Sequence, residues 1–281
     1  MPFAPAAPFM PRSPTVPEPA SPPRQRRQRV QAAETGMAVL KGLAGLGGRA
    51  SLTALSAQVG EPPAKVHRYL VSLCQEGLVS QDAGSQQYFL GPEAIRIGMA
   101  AMRQADPIRV AEPALARLRE SLEVTCFLAV MGNKGPTIVR FEEPGLPVTL
   151  NVRVGSVLPL LWSATGRAFL GFLDERAVQA LAERELAAAS AEQRALLPQE
   201  DPVATLRREV QAAGCAAVRD TNLRGISAVA APLFDHAGRV CGVLTALGAT
   251  GGFDASVDGA IAQAVRREAR AISAVLGHEA P

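Results

Sequence analysis

The chain has little of what announces an enzyme, a metal protein or a secreted one. Of its 281 residues only three are histidine and four cysteine, and aromatics make up 4%. His67, His236 and His278 stand far apart, with no partner at metal-ligand spacing, so neither a structural nor a catalytic zinc is expected and no cofactor is implied. Cys74, Cys126, Cys215 and Cys241 lie mostly in apolar runs without paired spacing, as buried thiols of a reducing cytoplasm do. No apolar run approaches the roughly 20 residues that cross a bilayer. Nine prolines among the first 23 residues break any signal-peptide core. An excess of one charge is also missing: the net charge is +3. The small surplus is unevenly placed, since residues 1–100 hold ten Lys or Arg against six Asp or Glu and the rest holds nineteen against twenty. Much of it comes from Arg24, Arg26, Arg27 and Arg29, so composition by itself is weak support for a nucleic-acid partner.

What is present is a strong local pattern from Ser51 to Leu90. Ser51 is a good N-cap, and Leu52, Leu55 and Val59 then share one helical face up to Gly60, where a tight turn needs positive φ. Pro62 and Pro63 suit the first positions of a second helix, whose buried stripe is Val66, Leu70, Leu73 and Cys74. Its other face holds Lys65, His67, Arg68 and Ser72, donors suited to phosphate oxygens and to base edges in a major groove. Leu78 to Ser80 and Tyr88 to Leu90 read as strands around a turn at Asp82 to Ser85. That wing would present Ser85, Gln86 and Gln87 to a backbone or minor groove. The alternative is a two-helix hairpin with a short sheet that touches only protein.

Around this motif the chain falls into segments. Residues 1–29 are Pro-rich and basic and are expected to stay disordered. Their arginines either touch phosphates or are simply solvated. A helix from about Gln31 to Leu46, with Met37, Leu40 and Leu43 apolar, opens a DNA-binding domain at 30–91. A linker helix at 92–106 carries Ile95, Ile97, Met99 and Met102, which either pair with a second copy or pack on their own domain. Residues 107–281 read as a separate unit. Here a helix from Pro113 to Leu122 precedes strands at Thr125 to Met131 and Thr137 to Phe141. A second hairpin joins Ser227 to Phe234 with Val240 to Leu247. Helices are expected from Ala164 to Phe172, Glu175 to Leu186, Val203 to Ala213 and Asp258 to Leu276. Hairpins with helices between them imply a mostly antiparallel sheet, an α+β chain overall.

No catalytic constellation stands out. Ser163 in Trp162-Ser163-Ala164-Thr165-Gly166 has the surroundings of a nucleophile but no base. Glu142 and Glu143 are adjacent and point apart, and no glycine-rich phosphate loop occurs. The run from Gly155 to Leu170 instead leads a loop into a helix start. Ser163, Thr165 and the free amides around Gly166 would face an anion there, walled by Leu161 and Trp162. The plainer alternative is a helix cap.

These residues resemble the isocitrate-lyase-regulator (IclR) type of bacterial transcriptional regulator over roughly residues 30–278. Ser51 to Gly60, Val66-His67-Arg68-Tyr69-Leu70, Glu76-Gly77-Leu78-Val79 and Tyr88-Phe89-Leu90-Gly91-Pro92 look like that family's winged helix running into its linker. Leu158-Pro159 with Ser163-Ala164-Thr165-Gly166-Arg167-Ala168, Ala230-Ala231-Pro232-Leu233-Phe234-Asp235 with Gly238, and Ile272-Ser273 with Leu276-Gly277 look like its second domain. One departure is Ala64-Lys65, where the family usually has a Ser-Thr pair, so operator contacts do not carry over. The resemblance implies a GAF-like effector domain, a homodimer or dimer of dimers, and a small organic acid as ligand. It puts the pocket on Leu161, Ser163, Ala164, Thr165, Gly166, Ile226, Ala228, Thr245 and Leu247, with Trp162 beside them. Several members carry polar or thiol groups where this chain has Ala228 and Leu247.

The expectation is therefore a cytoplasmic, ligand-responsive regulator, not an enzyme, with no membrane partner. It would bind a pseudo-palindromic operator in double-stranded DNA through Ser51, Ala64, Lys65, His67, Arg68, Ser72, Gln86 and Gln87. Two rivals remain. One is a small-molecule enzyme or sensory module whose helix-turn-helix serves protein contacts only; the other is a constitutive DNA binder with a purely structural second domain.

Overall fold

A computed structural model describes residues 30–145, 152–173 and 176–279. The arm expected over residues 1–29 and the helix start expected at Glu175 lie outside the described residues. The chain divides into two compact units between Arg96 and Ile97.

The first unit runs α1 (Gln31–Gly45), β1 (Arg49–Ala50), α2 (Leu52–Val59), α3 (Pro63–Gln75), β2 (Val79–Gln81) and β3 (Tyr88–Leu90). Its core gathers Val39, Leu43, Leu55, Val66, Leu70, Leu73, Val79 and Tyr88. Helix α2 begins where the Ser51 hydroxyl accepts from the Ala54 amide at 3.2 Å, and it stops at Gly60, whose φ of 71° would strain any residue with a β-carbon. Pro63 opens α3, where a missing amide hydrogen costs nothing. The strands pair antiparallel in the order β1-β3-β2. Strand β1 was not foreseen, because two residues carry no periodicity; pairing sets it, with Arg49 opposite Phe89 and Ala50 opposite Tyr88. Of the apolar residues expected on α1, Leu43 is in the core and Leu40 packs against it, while Met37 does neither. Gly36 and Val39 are buried with Leu43, and Met37 is 46% exposed. Gly36 faces the Tyr69 ring of α3, where a β-carbon would come within 3.6 Å, an ordinary van der Waals contact.

Helix α4 (Pro92–Gln104) spans the division and buries none of its residues. Ile95, Ile97, Met99 and Met102 are all exposed on it.

The second unit continues with α5 (Pro107–Leu122), β4 (Thr125–Gly132), β5 (Gly135–Glu142), α6 (Ala164–Phe172), α7 (Arg176–Ala188) and α8 (Ala191–Ala195). It closes with α9 (Pro202–Ala213), β6 (Ala216–Arg219), β7 (Ile226–Phe234), β8 (Val240–Ala249) and α10 (Ala260–Val275). The sheet order is β5-β4-β8-β7-β6, and all four pairings are antiparallel. Alternation along the strands builds two cores. Phe127, Ala129, Ala228, Ala230, Val243 and Leu247 join Leu158, Leu160, Leu161 and Phe169 on one face. Cys126, Leu128, Val229, Ala231, Leu244 and Ala246 face Leu115, Leu118, Val265 and Ile272 of α5 and α10 on the other.

Helix α5 starts six residues before the expected Pro113. Asp106 caps it, accepting from the Ile108 amide at 2.9 Å; Pro107 takes the first turn, and Pro113 is carried inside the helix. Strand β6 and helix α8 were missed altogether: the first is four residues of mostly small side chains, the second a single capped turn. Beyond β5, residues 155–158 run along its outer edge, with bonds from Gly155 N to Ile138 O (2.8 Å), Ile138 N to Ser156 O (3.0 Å) and Leu158 N to Pro136 O (2.8 Å). That edge delivers the chain to the start of α6.

Candidate functional site

Two surfaces carry chemistry, one in each unit. In the first, the outward face of α3 presents Ala64, His67, Arg68 and Ser72, all exposed. Lys65 is half-buried and its Nζ lies 2.7 Å from Glu61 Oε1. An (i, i+4) pair of this kind is worth only about 0.3–0.5 kcal/mol, so it does not hold the lysine away from a phosphate. His67 Nδ1 lies 3.2 Å from the Tyr88 hydroxyl. Ser51 is engaged as the cap of α2, with its hydroxyl hydrogen still to donate. In the wing, Asp82 Oδ1 accepts from the Ser85 amide at 2.7 Å and the Ser85 hydroxyl at 2.8 Å, and these donors lower the Asp82 pKa. The turn they close sets Gln86 at a φ of 57°, its Nε2 donating to Ala83 O at 2.9 Å. Gln87 follows, half-buried. Arg49 adds a cation that the sequence reading missed: its guanidinium sits 5.1 Å from the centre of the Phe89 ring. With β1 unrecognised, no pattern placed it beside the wing.

In the second unit the site is built around the N-terminus of α6. The loop leading to it is clamped from α7, where the Glu185 carboxylate accepts from the amides of Leu160 (2.9 Å) and Leu161 (3.1 Å). Burial raises the Glu185 pKa, against the pull of those two donors. The Ser163 hydroxyl is used twice, donating to Pro159 O at 2.6 Å and accepting from the Gly166 amide at 2.9 Å. It caps the helix in that arrangement, with its hydrogen directed at a carbonyl and, among the described residues, no base bonded to it. A β-carbon at position 166 would collide with the Pro159 carbonyl, so only glycine lets loop and helix cross so closely. Arg167 ties the two together again, its Nε donating to Leu161 O at 2.8 Å.

A cavity of about 40 Å³ opens at this helix start. Ser163, Ala164, Thr165, Ile226, Ala228, Thr245 and Leu247 line it, together with Phe127, Val152, Leu158, Val218, Asn222 and Leu223. Thr165 and Thr245, from α6 and β8, are brought into a buried hydroxyl pair at 2.9 Å. Among the described residues no lining side chain is charged. The first amides of α6 are the unpaired donors that every helix start leaves, and the helix dipole makes such an end receptive to an anion.

Three expected wall residues are not there. Leu161 is fully buried in the core. Trp162 points toward α8, its indole donating to Gln193 O at 3.1 Å, while its carbonyl accepts from Thr221 Oγ1 at 2.6 Å; it lines a separate cleft with Glu185 and Gln193. Gly166 lies outside the lining, and its amide, expected to be free, is taken by Ser163. Successive residues entering a helix point in different directions, which is why adjacency to Ser163 misplaced them. Of the lining residues not foreseen, Phe127, Val218, Asn222 and Leu223 come from strand and loop segments that only the sheet order brings together.

Among the described residues no three His, Cys, Asp or Glu side chains form a cluster suited to a metal. Burial pushes the Cys126 thiol up to about 12 and that of Cys241 up to about 11, so neither is a thiolate at neutral pH. No helix among the described residues is long and apolar enough to cross a membrane.

Comparison with known proteins matches a family domain in each unit. The family profile described as the IclR helix-turn-helix domain matches residues 32–83, and that of the bacterial transcriptional regulator IclR C-terminal domain matches residues 99–274. The crystal structure of HmgR from Pseudomonas aeruginosa is 42% identical, covering 90% of this chain and 100% of that one with a TM-score of 0.81. The HTH-type transcriptional regulator BhcR of Paracoccus denitrificans is 28% identical over 225 residues, 79% of either chain. The Agobacterium tumefaciens repressor BlcR shares the fold, with a TM-score of 0.73 at 17% identity over 89% of this chain and 99% of that one. The chain belongs to the IclR family: a transcriptional regulator with a helix-turn-helix DNA-binding domain and a C-terminal effector domain.

Proposed function

We propose that two winged heads of a dimer, or of a dimer of dimers, bind half-sites of a pseudo-palindromic operator in double-stranded DNA, and that a small organic acid at the start of α6 changes that binding. On the DNA side the reading assigns Ala64, Lys65, His67, Arg68 and Ser72 to the major groove and its phosphates, Gln86 and Gln87 to the wing contact, and Ser51 to the backbone at the start of α2. On the ligand side Thr165, Thr245 and the first amides of α6 take the carboxylate. The walls of Phe127, Leu158, Val218, Leu223, Ile226 and Leu247 favour an aromatic or branched acid. Exposed Ile95, Met99 and Met102, at helical spacing on α4, supply the pairing face for a second copy.

The observation that carries the reading is the meeting of a helix N-terminus with a buried hydroxyl pair inside mostly apolar walls that hold no charge among the described residues. Such a site favours an anion with an apolar body. If the acid prefers one arrangement of the heads, linkage requires DNA affinity to change by the same factor, typically about 5 to 150-fold. A thermal-shift screen of carboxylic acids tests the pocket, followed by a mobility shift on DNA upstream of the protein's own gene with and without the best acid. Stabilisation by aromatic or branched acids and an altered shift are expected. Stabilisation only by very small polar acids such as glyoxylate would show that the apolar walls do not select the ligand, and failure to shift any neighbouring promoter would remove the DNA assignment.

A further inference from the structure

His67 and Tyr88 link the outward face of α3 to the wing. Tyr88 belongs to β3 and is 4% exposed, packed in the core of the head, whereas His67 is exposed one position before Arg68. The only side-chain partner of the buried phenol among the described residues is the Nδ1 of this surface histidine, at 3.2 Å. The chemistry of the pair orders its protons. A phenol is a good donor and a poor acceptor, and an unprotonated imidazole nitrogen accepts far better than a phenol oxygen does, so the neutral pair settles as O–H to Nδ1. The ring hydrogen is then on Nε2, because the partner of one ring nitrogen decides what the other carries. Burial raises the Tyr88 pKa, which keeps the phenol protonated. When the imidazole gains a proton, Nδ1 donates to the phenol oxygen and Nε2 remains a donor. Nε2 of His67, the nitrogen that Tyr88 leaves unoccupied, therefore donates in both forms of the ring.

We propose that Tyr88 is a positioning residue for sequence readout: by holding Nδ1 it fixes His67 as a donor at Nε2, so that His67 meets the N7/O6 acceptor edge of guanine and rejects cytosine. The inference rests on the assignment of the outward face of α3 to the major groove. In that groove guanine shows two acceptors, adenine an acceptor beside a donor, thymine one acceptor, and cytosine only its amino donor. A histidine whose tautomers interconvert could also accept from the amino groups of adenine or cytosine. Loss of the phenol hydroxyl should therefore broaden the base preference at one position of each half-site and leave the other positions alone, which a merely structural hydroxyl would not do.

The test uses the full chain and duplexes selected from a randomised pool by the wild type, His67→Ala and Tyr88→Phe. The wild type should show guanine at a position whose preference His67→Ala abolishes. Tyr88→Phe should lower the guanine-to-cytosine ratio there by about fivefold, the low end of what a groove contact discriminates. Because the chain has only three histidines, nitrogen-15 histidine labelling with His67→Ala as the assignment control reports the tautomer directly. Nε2–H is expected in the wild type and a mixture in Tyr88→Phe. A readout that needs no protein variant places 7-deazaguanine or O6-methylguanine at that position; weaker wild-type binding with either supports the contact, and undiminished binding with both overturns it. If His67→Ala leaves the selected motif unchanged, the groove assignment of His67 is wrong. If His67→Ala alters the motif while Tyr88→Phe changes neither the ratio nor the tautomer, the DNA contact stands and the role given to Tyr88 is refuted.

Discussion

Replacing Thr165 by valine removes one hydroxyl from a buried pair without changing the volume of the side chain. Thr165 and Thr245 are 1% exposed each and their oxygens are 2.9 Å apart, so the deletion leaves Thr245 without that partner in a mostly apolar site. An unsatisfied buried hydroxyl costs about 1–3 kcal/mol. For a domain of this size 1 kcal/mol moves Tm by roughly 2–4 °C, which gives an expected loss of about 2–12 °C. Thr245→Val should fall in the same range. The double variant is the informative one, because replacing both partners with apolar groups of the same shape is close to neutral. Its Tm should lie above that of either single variant, a coupling that a thermal-unfolding double-mutant cycle reads directly. The double variant should also have lost its response to carboxylic acids while binding DNA as the wild type does in their absence. Additive single effects would refute the shared hydrogen bond, and a surviving acid response in the stable double variant would refute the placement of the ligand.

Three further outcomes are expected. Arg68→Ala should weaken DNA binding across sequences and reduce the slope of log K against log salt by about 1, measured by fluorescence anisotropy at several salt concentrations; an unchanged slope removes its phosphate role. Met99→Glu should lower the oligomer mass in light scattering, since the charge enters the exposed stripe of α4, and an unchanged mass would show that α4 is not the pairing face. Glu185 has a raised folded-state pKa, so the folded form holds its proton more tightly than the unfolded chain. Stability is therefore fullest below the ordinary value of 4.5 and declines as pH rises through the raised one. Glu185→Gln should flatten that part of the stability-against-pH curve in chemical denaturation; curves that stay parallel would count against the burial of the carboxylate.

The head was legible because its determinants are local. Ser51, Gly60, Pro62-Pro63 and the Asp82 turn each act within a few residues, and they place α2, α3 and the wing without reference to the rest of the chain. What the pattern did not show was Arg49, whose strand exists only through pairing with β3. In the second unit, Ser163 and Thr165 marked the helix start from local chemistry, whereas Thr245 stood beside Thr165 only through resemblance, 80 residues away in the chain. Phe127, Val218 and Leu223 reach the cavity through the sheet order, a property that no window of sequence holds. Glu185 gave no signal, because a carboxylate on a polar helix looks the same whether it meets water or the two amides of a neighbouring loop. Pro113 misled for a related reason: a proline marks a helix start only when no better cap precedes it, and Asp106-Pro107 does.

The cavity at α6 has a volume of about 40 Å³, room for very few waters. If an organic acid of the proposed kind fits only once the walls part, what a titration measures is the product of two quantities: the intrinsic affinity of the opened form and the fraction of molecules that have opened. Each tenfold scarcity of the opened form weakens the observed affinity tenfold, about 1.4 kcal/mol. Residues outside the proposed acid site, Glu185 and Gly166 among them, would then set sensitivity through how rarely the loop and helix separate. A regulator built this way adjusts the concentration at which it responds by changing its clamp, leaving the chemistry of recognition as it is.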